Sequence, residues 1–254
     1  MTVSNRSLSR GLAIVRVFNQ IPTPSLTEIA GKVGLTKATC LRYLRTLQEE
    51  GYLALNEKSK HYQLRPLVLE LGYAALTSLS LPFIAEPEME ALADKIGGSV
   101  HLGLLDGDEV VVVARAVASP EIRKLVTMNI HVGSRLPAYC TAMGRMLIAR
   151  QVVDVGGFIS SLELRKYTSK TLIHRTQLVH EIKESGQRGW STVEEDLGTG
   201  YSAVAVTVGT ENQIFALAAS VATKDYTHAK LVRELLPLLQ DAANRLQRAF
   251  IAVR

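Results

Sequence analysis

The chain has 254 residues, and 29 Lys and Arg against 24 Asp and Glu give it a formal net charge of +5. With 47% hydrophobic and 21% charged residues, its composition is that of a folded globular protein and excludes a disordered or fibrous one. Two cysteines, Cys40 and Cys140, exclude a disulfide-rich scaffold and a four-thiolate zinc site. The polar start MTVSNRSLSRG lacks the apolar core of a signal peptide, and no apolar run reaches the ~18 residues of a membrane span. We therefore expect a cytoplasmic protein with no membrane partner.

The positive charge is confined to the first quarter of the chain. Residues 1–65 hold ten Lys and Arg and four Glu, a balance of +6, whereas residues 66–254 hold 19 basic and 20 acidic residues, a balance of −1. A basic N-terminal unit joined to a near-neutral body is typical of a nucleic-acid-binding domain attached to a domain with another role. Charge alone also fits a solvated surface that happens to be positive, so the pattern within residues 1–65 must decide.

Three helices are predicted in this N-terminal region. Ser25-Leu-Thr-Glu28 is a capping box that starts the second helix, and Gly34 is placed to end it in a left-handed conformation. Thr36 is placed to cap a third helix after a very short turn. Apolar residues at helical spacing form one apolar face on the first helix and one on the third. They are Leu8, Leu12, Val15 and Phe18 on the first helix, and Leu41, Leu44 and Leu47 on the third.

Two short strands, 52–55 and 61–64, follow around the polar turn 56–60, so the order of elements predicts a winged helix-turn-helix. The third helix of such a domain enters the major groove, where Thr hydroxyls suit phosphate oxygens, and Lys37 and Arg42 suit guanine edges or phosphates. Lys58 and Lys60 at the wing tip are placed to meet an adjacent backbone or minor groove. For any single residue a solvated helix face is an equal alternative, but the whole arrangement predicts DNA binding. The candidate DNA contacts, with the third helix expected to expose Cys40, are Ser25, Thr36, Lys37, Thr39, Cys40, Arg42, Tyr43, Arg45, Lys58 and Lys60.

The rest of the chain alternates hairpins with helices. A linker helix is predicted over 66–82, broken at Pro82, with a domain boundary near residue 65. This order indicates an α+β domain, an antiparallel sheet with helices on its faces. The predicted helices are 88–96, 141–149, 176–184 ended by Gly186, and a long final helix capped by Thr227; the predicted strands are 99–105, 109–115, 122–128, 201–208 and 214–222.

Few residues of this larger domain point to catalysis. Gly198-Thr-Gly200-Tyr-Ser-Ala203 matches a loose GxGxxA, but it precedes a strand instead of a helix, which argues against a dinucleotide site. The acidic run 194–196 could bind a hard metal ion, but no His or Cys joins it, so a solvated loop is favoured. Cys140 at a helix start could have a lowered thiol pKa, although a small helix-start residue is the simpler interpretation. We expect no catalytic residue, metal or cofactor. The helix start at Thr141 leaves free N–H groups, which suit a carboxylate.

Three segments in order resemble the IclR-type transcriptional regulators. They are SLTEIAGKVGLTKATCLRYLRTLQEEGYL, preceded by SLSRGLAIVRVF, then VGSRLPAYCTAMGRMLIA and GWSTVEEDLGTGYSAVAV, and together they cover nearly the whole chain. The resemblance implies a winged helix-turn-helix over 1–65, a linker helix over 66–82 and a GAF-like effector-binding domain over 83–254.

The resemblance also implies where an effector binds: its carboxylate meets the backbone amides of Ala142 and Met143. For Ser220, a buried serine bonded to the backbone is an equal alternative. Ala203 and Ala222 stand where other members carry Cys or Ser, which disfavours a very small, polar ligand. The segment GSRLPAYCTAMGR is most similar to the branch that controls aromatic-acid breakdown (protocatechuate, para-hydroxybenzoate, β-ketoadipate). The candidate effector contacts are Leu136, Tyr139, Thr141, Ala142, Met143, Glu194, Ala203 and Ser220.

The function predicted is therefore a sequence-specific transcriptional regulator whose DNA binding or output responds to a small organic acid, aromatic or dicarboxylic. A palindromic double-stranded operator would be bound by a homodimer, with Leu8, Leu12 and Val15 of the first helix at the dimer contact. The resemblance implies that dimers can pair into tetramers. The alternative is an enzyme that processes a small acid and carries a DNA-binding regulatory appendage, which would need a nucleophile–base pair. A constitutive architectural DNA binder leaves the large neutral domain unexplained.

Overall fold

The computed structural model describes residues 5–121 and 130–252, so the candidate strand 122–128 lies outside the described residues. The chain divides into two compact units, Met1–Ser78 and Leu79–Arg254. No single helix in the described ranges is long and apolar enough to cross a membrane; Val68–Thr77 and Leu81–Ile96 pass that test only as a pair with a break between them.

The first unit is a winged helix-turn-helix followed by one more helix. Asn5 starts α1, because its side-chain oxygen accepts the amides of Ser7 and Leu8 at 3.0 and 3.1 Å. The core of the unit forms where the three helices meet the hairpin, and its fully or nearly fully buried side chains include Ile14, Ile29 and Leu44. The elements are α1 (Arg6–Val17), α2 (Leu26–Val33), α3 (Lys37–Glu49), β1 (Leu53–Asn56), β2 (His61–Leu64) and α4 (Val68–Thr77).

The second unit is built around an antiparallel sheet, which the described residues form from six strands. The strands are β3 (Ser99–Asp106), β4 (Glu109–Val117), β5 (Arg135–Pro137), β6 (Ser191–Glu194), β7 (Tyr201–Thr210) and β8 (Gln213–Ala222). Their order in the sheet is β5-β4-β3-β8-β7-β6. The helices are α5 (Ser80–Ile96), α6 (Ala142–Gln151), α7 (Val155–Ser161), α8 (Arg175–Arg188), α9 (His228–Lys230) and α10 (Leu236–Ala252), with a 3-10 turn at Ala138–Cys140 and a π-helical turn at Leu231–Leu235. The predicted α+β class is thereby confirmed.

The two faces of this sheet carry different residues. On one face Phe215 of β8 meets Phe250 of α10 edge to face, with ring centroids 6.3 Å apart. The opposite face, under α6, is made of small side chains, because period-two alternation brings alanines from β7 and β8 together there. At Gly103 on β3 an added Cβ would lie 3.3 Å from the Met143 sulfur of α6. Small residues thus let α6 lie close to the sheet.

Two helix boundaries differ from the prediction, and both concern proline. The predicted linker helix ends at Thr77, before Pro82, and Pro82 lies inside the first turn of α5. A proline is tolerated there because the first helical N–H groups have no acceptor within the helix. The helix predicted from residue 88 therefore begins at Ser80 and continues through Pro87. The division of the chain at residues 65 and 82 stays a prediction.

The end of α8 also differs. Gly186 was expected to end this helix, but the helix continues to Arg188, and Gly189 takes the left-handed conformation with φ 81°. Gly186 instead faces α6, where an added Cβ would come within 3.1 Å of the Ala149 Cβ. Its role is close helix packing and not termination. The sequence patterns predict no element at the positions of three short ones, β5, β6 and α7.

Candidate DNA-binding surface and effector cavity

Three local features define the turn between α2 and α3: a capping box, a left-handed glycine and a threonine cap. Glu28 accepts the Ser25 amide at 2.8 Å and the Ser25 hydroxyl at 2.7 Å, and the Glu28 amide donates back to that hydroxyl at 3.4 Å, which completes the capping box. Gly34 ends α2 with φ 64°, a left-handed conformation that costs a residue with a Cβ ~1–2 kcal/mol. The Thr36 side chain then accepts the Thr39 amide at 3.3 Å and so caps α3.

One predicted contact on α3 is wrong in its placement. Cys40 was expected on the exposed face, but its side chain is fully buried in the core of the unit. Cys40 and Leu44 lie four residues apart and therefore share one face of the helix, and that face packs on the other helices. Burial also raises the pKa of the Cys40 thiol. Cys40 consequently packs in the core of the unit and does not face solvent.

The opposite side of α3 is basic and open to solvent. Lys37, Arg42 and Arg45 are all exposed, while Thr39 and Tyr43 are half-buried beside them. None of these three cations has a carboxylate within ion-pair distance among the described residues. An exposed row of unneutralised cations on a helix capped by hydroxyl groups suits a phosphate backbone.

The wing tip is organised by Asn56, whose side-chain oxygen accepts the amides of Lys58 and Ser59 at 3.0 and 3.1 Å. Lys60 adopts φ 58° and pairs with Glu57 at 2.7 Å, with both side chains largely exposed. Such a surface pair contributes ~0–1 kcal/mol, so Lys60 is readily released to another anion. Lys58 forms no ion pair in the described part of the chain.

In the second unit, a cavity of about 40 Å³ lies between the α6 start and the alanine face of the sheet. Apolar side chains make most of its wall, and polar groups come from the α6 turn, β3, β7 and β8. Its volume is close to that of one water molecule. The lining residues are His101, Ile130, Leu136, Cys140, Thr141, Ala142, Met143, Val193, Leu197, Tyr201, Ala218 and Ser220.

One end of this cavity is the N-terminus of α6. The Thr141 side chain accepts the Gly144 amide at 3.1 Å, which satisfies one of the first helical amides. The amides of Ala142 and Met143 have no hydrogen-bond acceptor in the part of the chain that the structure describes. Free amides and the positive end of a ten-residue helix together favour a bound anion.

The remaining polar groups of the cavity are uncharged. His101 is almost fully buried, and desolvation, assisted by the positive charge of Arg115, lowers its pKa to about 4, so the imidazole is neutral at pH 7. The Tyr201 hydroxyl is buried and has no hydrogen-bond partner within residues 5–121 and 130–252, and burial raises its pKa. His101 and Tyr201 were not predicted as site residues. His101 stands in no motif, and Tyr201 lies within the GxGxxA match and the third family-like segment, neither of which marks it as a ligand contact. Only the pairing of β3 and β7 with β8 brings the two residues to one place.

Some of the predicted effector contacts lie elsewhere. The Tyr139 hydroxyl donates to the Arg165 carbonyl oxygen, outside the cavity. Glu194 is partly exposed and pairs with Lys170. Ala203 is buried on the cavity face of the sheet, opposite Ser220 in the strand register, but does not line the cavity. The other predicted contacts, Leu136, Thr141, Ala142, Met143 and Ser220, line it.

A buried ion pair fixes the α6 start to β6. The Arg145 guanidinium pairs with Asp196, and both side chains are at least nine-tenths buried. Arg145 also donates from Nε to the Tyr139 carbonyl at 3.0 Å and from Nη1 to the Thr192 carbonyl at 3.3 Å. The 3-10 turn that precedes α6, the strand β6 and the acidic turn after it are therefore held by one side chain.

Neither a metal site nor a reactive thiol is evident in the described ranges. They contain no group of three or more His, Cys, Asp and Glu side chains that could hold a metal ion. Burial raises the pKa of the Cys140 thiol to about 12, and the thiol donates to the Pro137 carbonyl at 3.7 Å. The lowered pKa considered as an alternative for Cys140 is therefore wrong, because desolvation outweighs the opposing influence of the Arg145 charge.

Comparison with known proteins agrees with both units. A family model described as the bacterial transcriptional regulator IclR C-terminal domain matches residues 73–248, and the IclR helix-turn-helix domain matches residues 7–57. The Pca regulon regulatory protein of Pseudomonas putida is 30% identical over 244 residues, which cover 94% of this chain and 82% of that protein.

Two solved structures are also similar. A Rhodococcus sp. RHA1 protein described as a transcriptional regulator shares 33% identity with a TM-score of 0.82, and the match covers 99% of this chain and 100% of that one. The inducer-binding domain of the Acinetobacter transcription factor PobR, as a double mutant in complex with 3-hydroxybenzoic acid, shares 26% identity with a TM-score of 0.59. That match covers 65% of this chain and 97% of that one. The chain belongs to the IclR family and is a DNA-binding transcriptional regulator with a helix-turn-helix unit at its N-terminus.

Proposed function

We propose that this regulator binds a palindromic operator as a homodimer in the cytoplasm and responds to a small aromatic carboxylic acid held at the start of α6. The observation that carries the proposal is the small cavity that combines two free helix amides, uncharged polar groups and apolar walls. The DNA contacts proposed are the exposed face of α3 and the wing, without Cys40.

The dimer contact is proposed on exposed apolar residues of the first unit. Leu8 and Leu12 of α1 are 62% and 49% exposed, and Leu69 and Tyr73 of α4 are 72% and 64% exposed. Helix α4 buries none of its residues, although its sequence is largely apolar. A palindromic site presents two equal half-sites, so a second copy of the chain is the partner that both the DNA geometry and these apolar faces favour.

The chemistry of the cavity favours one kind of effector. Its α6 end suits a single carboxylate, since the free amides of Ala142 and Met143 lie there. The neutral His101 and Tyr201 offer hydrogen bonds to a hydroxyl group, and no Lys or Arg is among the described residues that line the cavity to meet a second carboxylate. Apolar walls suit a flat ring between the two ends. We therefore favour a hydroxylated aromatic monocarboxylate over a dicarboxylate. The benzoate-type ligand of the PobR domain supports this choice.

Binding of such an acid requires the cavity to widen. Ligand pockets generally have volumes of ~300–1,000 Å³, whereas this one has about 40 Å³. The ligand must therefore displace side chains that line the cavity, among which Leu197 follows the acidic turn. An effector shifts an equilibrium only by the difference between its affinities for the two states, and a narrow and a widened cavity supply that difference.

Thermal unfolding with and without candidate acids tests the effector. A ligand at 100 times its Kd stabilises the native state by ~2.7 kcal/mol, which raises the melting temperature of a unit of this size by ~5–10 °C. We expect this shift with 4-hydroxybenzoate, 3-hydroxybenzoate or protocatechuate, and none with 4-hydroxybenzamide, which has no carboxylate. Tyr201→Phe should weaken binding of the hydroxylated acids more than that of benzoate. Tyr167→Phe, outside the cavity, is the matched control. An equal shift by the amide would refute the carboxylate assignment.

A titration with operator DNA tests the other half of the proposal. Arg42→Ala should lower both the affinity and its dependence on salt, because one phosphate or base contact is lost. Unchanged affinity and salt slope would contradict the placement of α3. Turnover of an aromatic acid by the chain, measured by product formation, would instead support the enzymatic alternative.

A further inference from the structure

A polar cleft of about 440 Å³ lies in the first unit, between α1 and α3. Helix α1 contributes Ser7 and Arg10, three residues apart on one face, and neither was among the predicted DNA contacts. Helix α3 contributes Thr39, Arg42, Tyr43 and Thr46, which recur at helical spacing on the side opposite its core face. The cleft therefore opens on the surface of α3 that carries the proposed DNA contacts.

The charge of this cleft is not neutralised. Arg10 and Arg42 line it together, no carboxylate does, and neither guanidinium forms an ion pair in the described part of the chain. The polar cavity beside β6 differs, since its Lys170 and Arg188 are paired with Glu194 and Glu181. Two guanidinium groups that share a cleft repel each other, and an anion between them removes that repulsion.

Tyr43 lines the cleft between residues of both helices. The pKa of its hydroxyl is lowered, chiefly by the Ser7 side chain of α1, and Arg10 and Arg42 act in the same direction. The Thr46 hydroxyl donates to the Arg42 carbonyl at 3.2 Å and the Thr39 hydroxyl accepts from Thr36 at 2.9 Å. The two threonine hydroxyl groups thus have local partners, and the guanidinium donors of Arg10 and Arg42 remain available.

We propose that this cleft binds one phosphodiester group of the DNA backbone, with Arg10 of α1 and Arg42 of α3 as its charged ligands and Ser7 and Tyr43 as polar lining residues. The planar guanidinium suits the phosphate group because it donates two parallel hydrogen bonds. Helix α1 then has two functions, a dimer contact through its leucines and a backbone contact through its first turns. This inference rests on the proposed placement of α3 against DNA.

Salt-dependent binding measures this contact. The probes are a 30-base-pair duplex of unrelated sequence and a duplex from the region upstream of the chain's own gene, with Kd measured by fluorescence anisotropy at ~50–300 mM KCl. Each phosphate contact contributes ~0.9 to the slope of log Kd against log salt. Arg10→Gln should lower the slope by about 1 on both duplexes and weaken binding by about tenfold or more, by a similar factor on each. Arg10→Lys should retain the slope, since it retains the charge.

Arg16→Gln is the matched control, because Arg16 is an exposed arginine of the same helix that forms no ion pair among the described residues and does not line the cleft. Sedimentation and thermal unfolding of each variant separate loss of the dimer or of the fold from loss of the phosphate contact. Equal slopes for Arg10→Gln and Arg16→Gln, with wild-type binding intact, would overturn this inference and leave the proposed function standing. Absence of any salt-dependent binding by the wild type would overturn both. Stabilisation of the wild type, but not of Arg10→Gln, by inorganic phosphate with unchanged slopes would identify a free-anion site instead.

Discussion

Replacement of Asp196 by alanine isolates the buried ion pair that joins α6 to the turn after β6. The side chains of Arg145 and Asp196 are 4% and 9% exposed, so the substitution leaves a guanidinium group in the interior without its counter-charge. Removal of one partner of such a pair costs ~3–5 kcal/mol. For a unit of this size the loss corresponds to a fall in melting temperature of ~6–20 °C.

Unfolding in urea, followed by fluorescence, measures this free energy directly. The only tryptophan, Trp190, immediately precedes β6, so its emission reports on the second unit. The double variant Arg145→Met with Asp196→Leu removes both charges, and we expect it to lie within ~1 kcal/mol of the wild type because no buried charge remains. A loss of less than ~1 kcal/mol for Asp196→Ala, or additive losses in the double variant, would refute this reasoning.

Three further outcomes are expected. Gly34→Ala should destabilise the first unit by ~1 kcal/mol because of its positive φ, and Gly31→Ala, in open space inside α2, should be neutral or stabilising, as measured by urea unfolding. The pKa of His101 is lower in the folded than in the unfolded state, so the unfolded state binds more protons between about pH 6.5 and 4. The free energy of unfolding should therefore fall by ~1.4 kcal/mol per pH unit as the pH drops through that window. His101→Gln should flatten this slope. Cys40 and Cys140 are buried with raised thiol pKa values, so neither should react with a thiol reagent at pH 8 until the chain is unfolded in denaturant, and rapid reaction of the native protein would contradict their burial.

Short-range signals explain the accuracy of the prediction for the first unit. The capping box at Ser25, the left-handed Gly34 and the Thr36 cap each involve atoms within about four residues, and all three occur as predicted. The rotation of α3 about its axis was less certain. A leucine spacing is compatible with several rotations, and contact with α1 and α2 selected the one that buries Cys40.

The second unit shows where local signals are insufficient. Gly186 has the residue type of a helix end, but its position against Ala149 makes it a packing residue, which no local pattern reveals. Pro82 is compatible with either a helix break or a first turn, and the packed position of α5 decided between them.

By itself, the sequence determined the class of the protein: a basic winged helix-turn-helix, a neutral α+β domain and the helix start at Thr141 that offers free amides. These features depend on residue types at short spacing. Only the tertiary structure decided which side chains share the cavity and the cleft. His101 and Tyr201 are a hundred residues apart and line one cavity, and Arg10 of α1 and Arg42 of α3 line one cleft. Contacts of this kind depend on strand pairing and helix packing over the whole unit, and no local spacing encodes them.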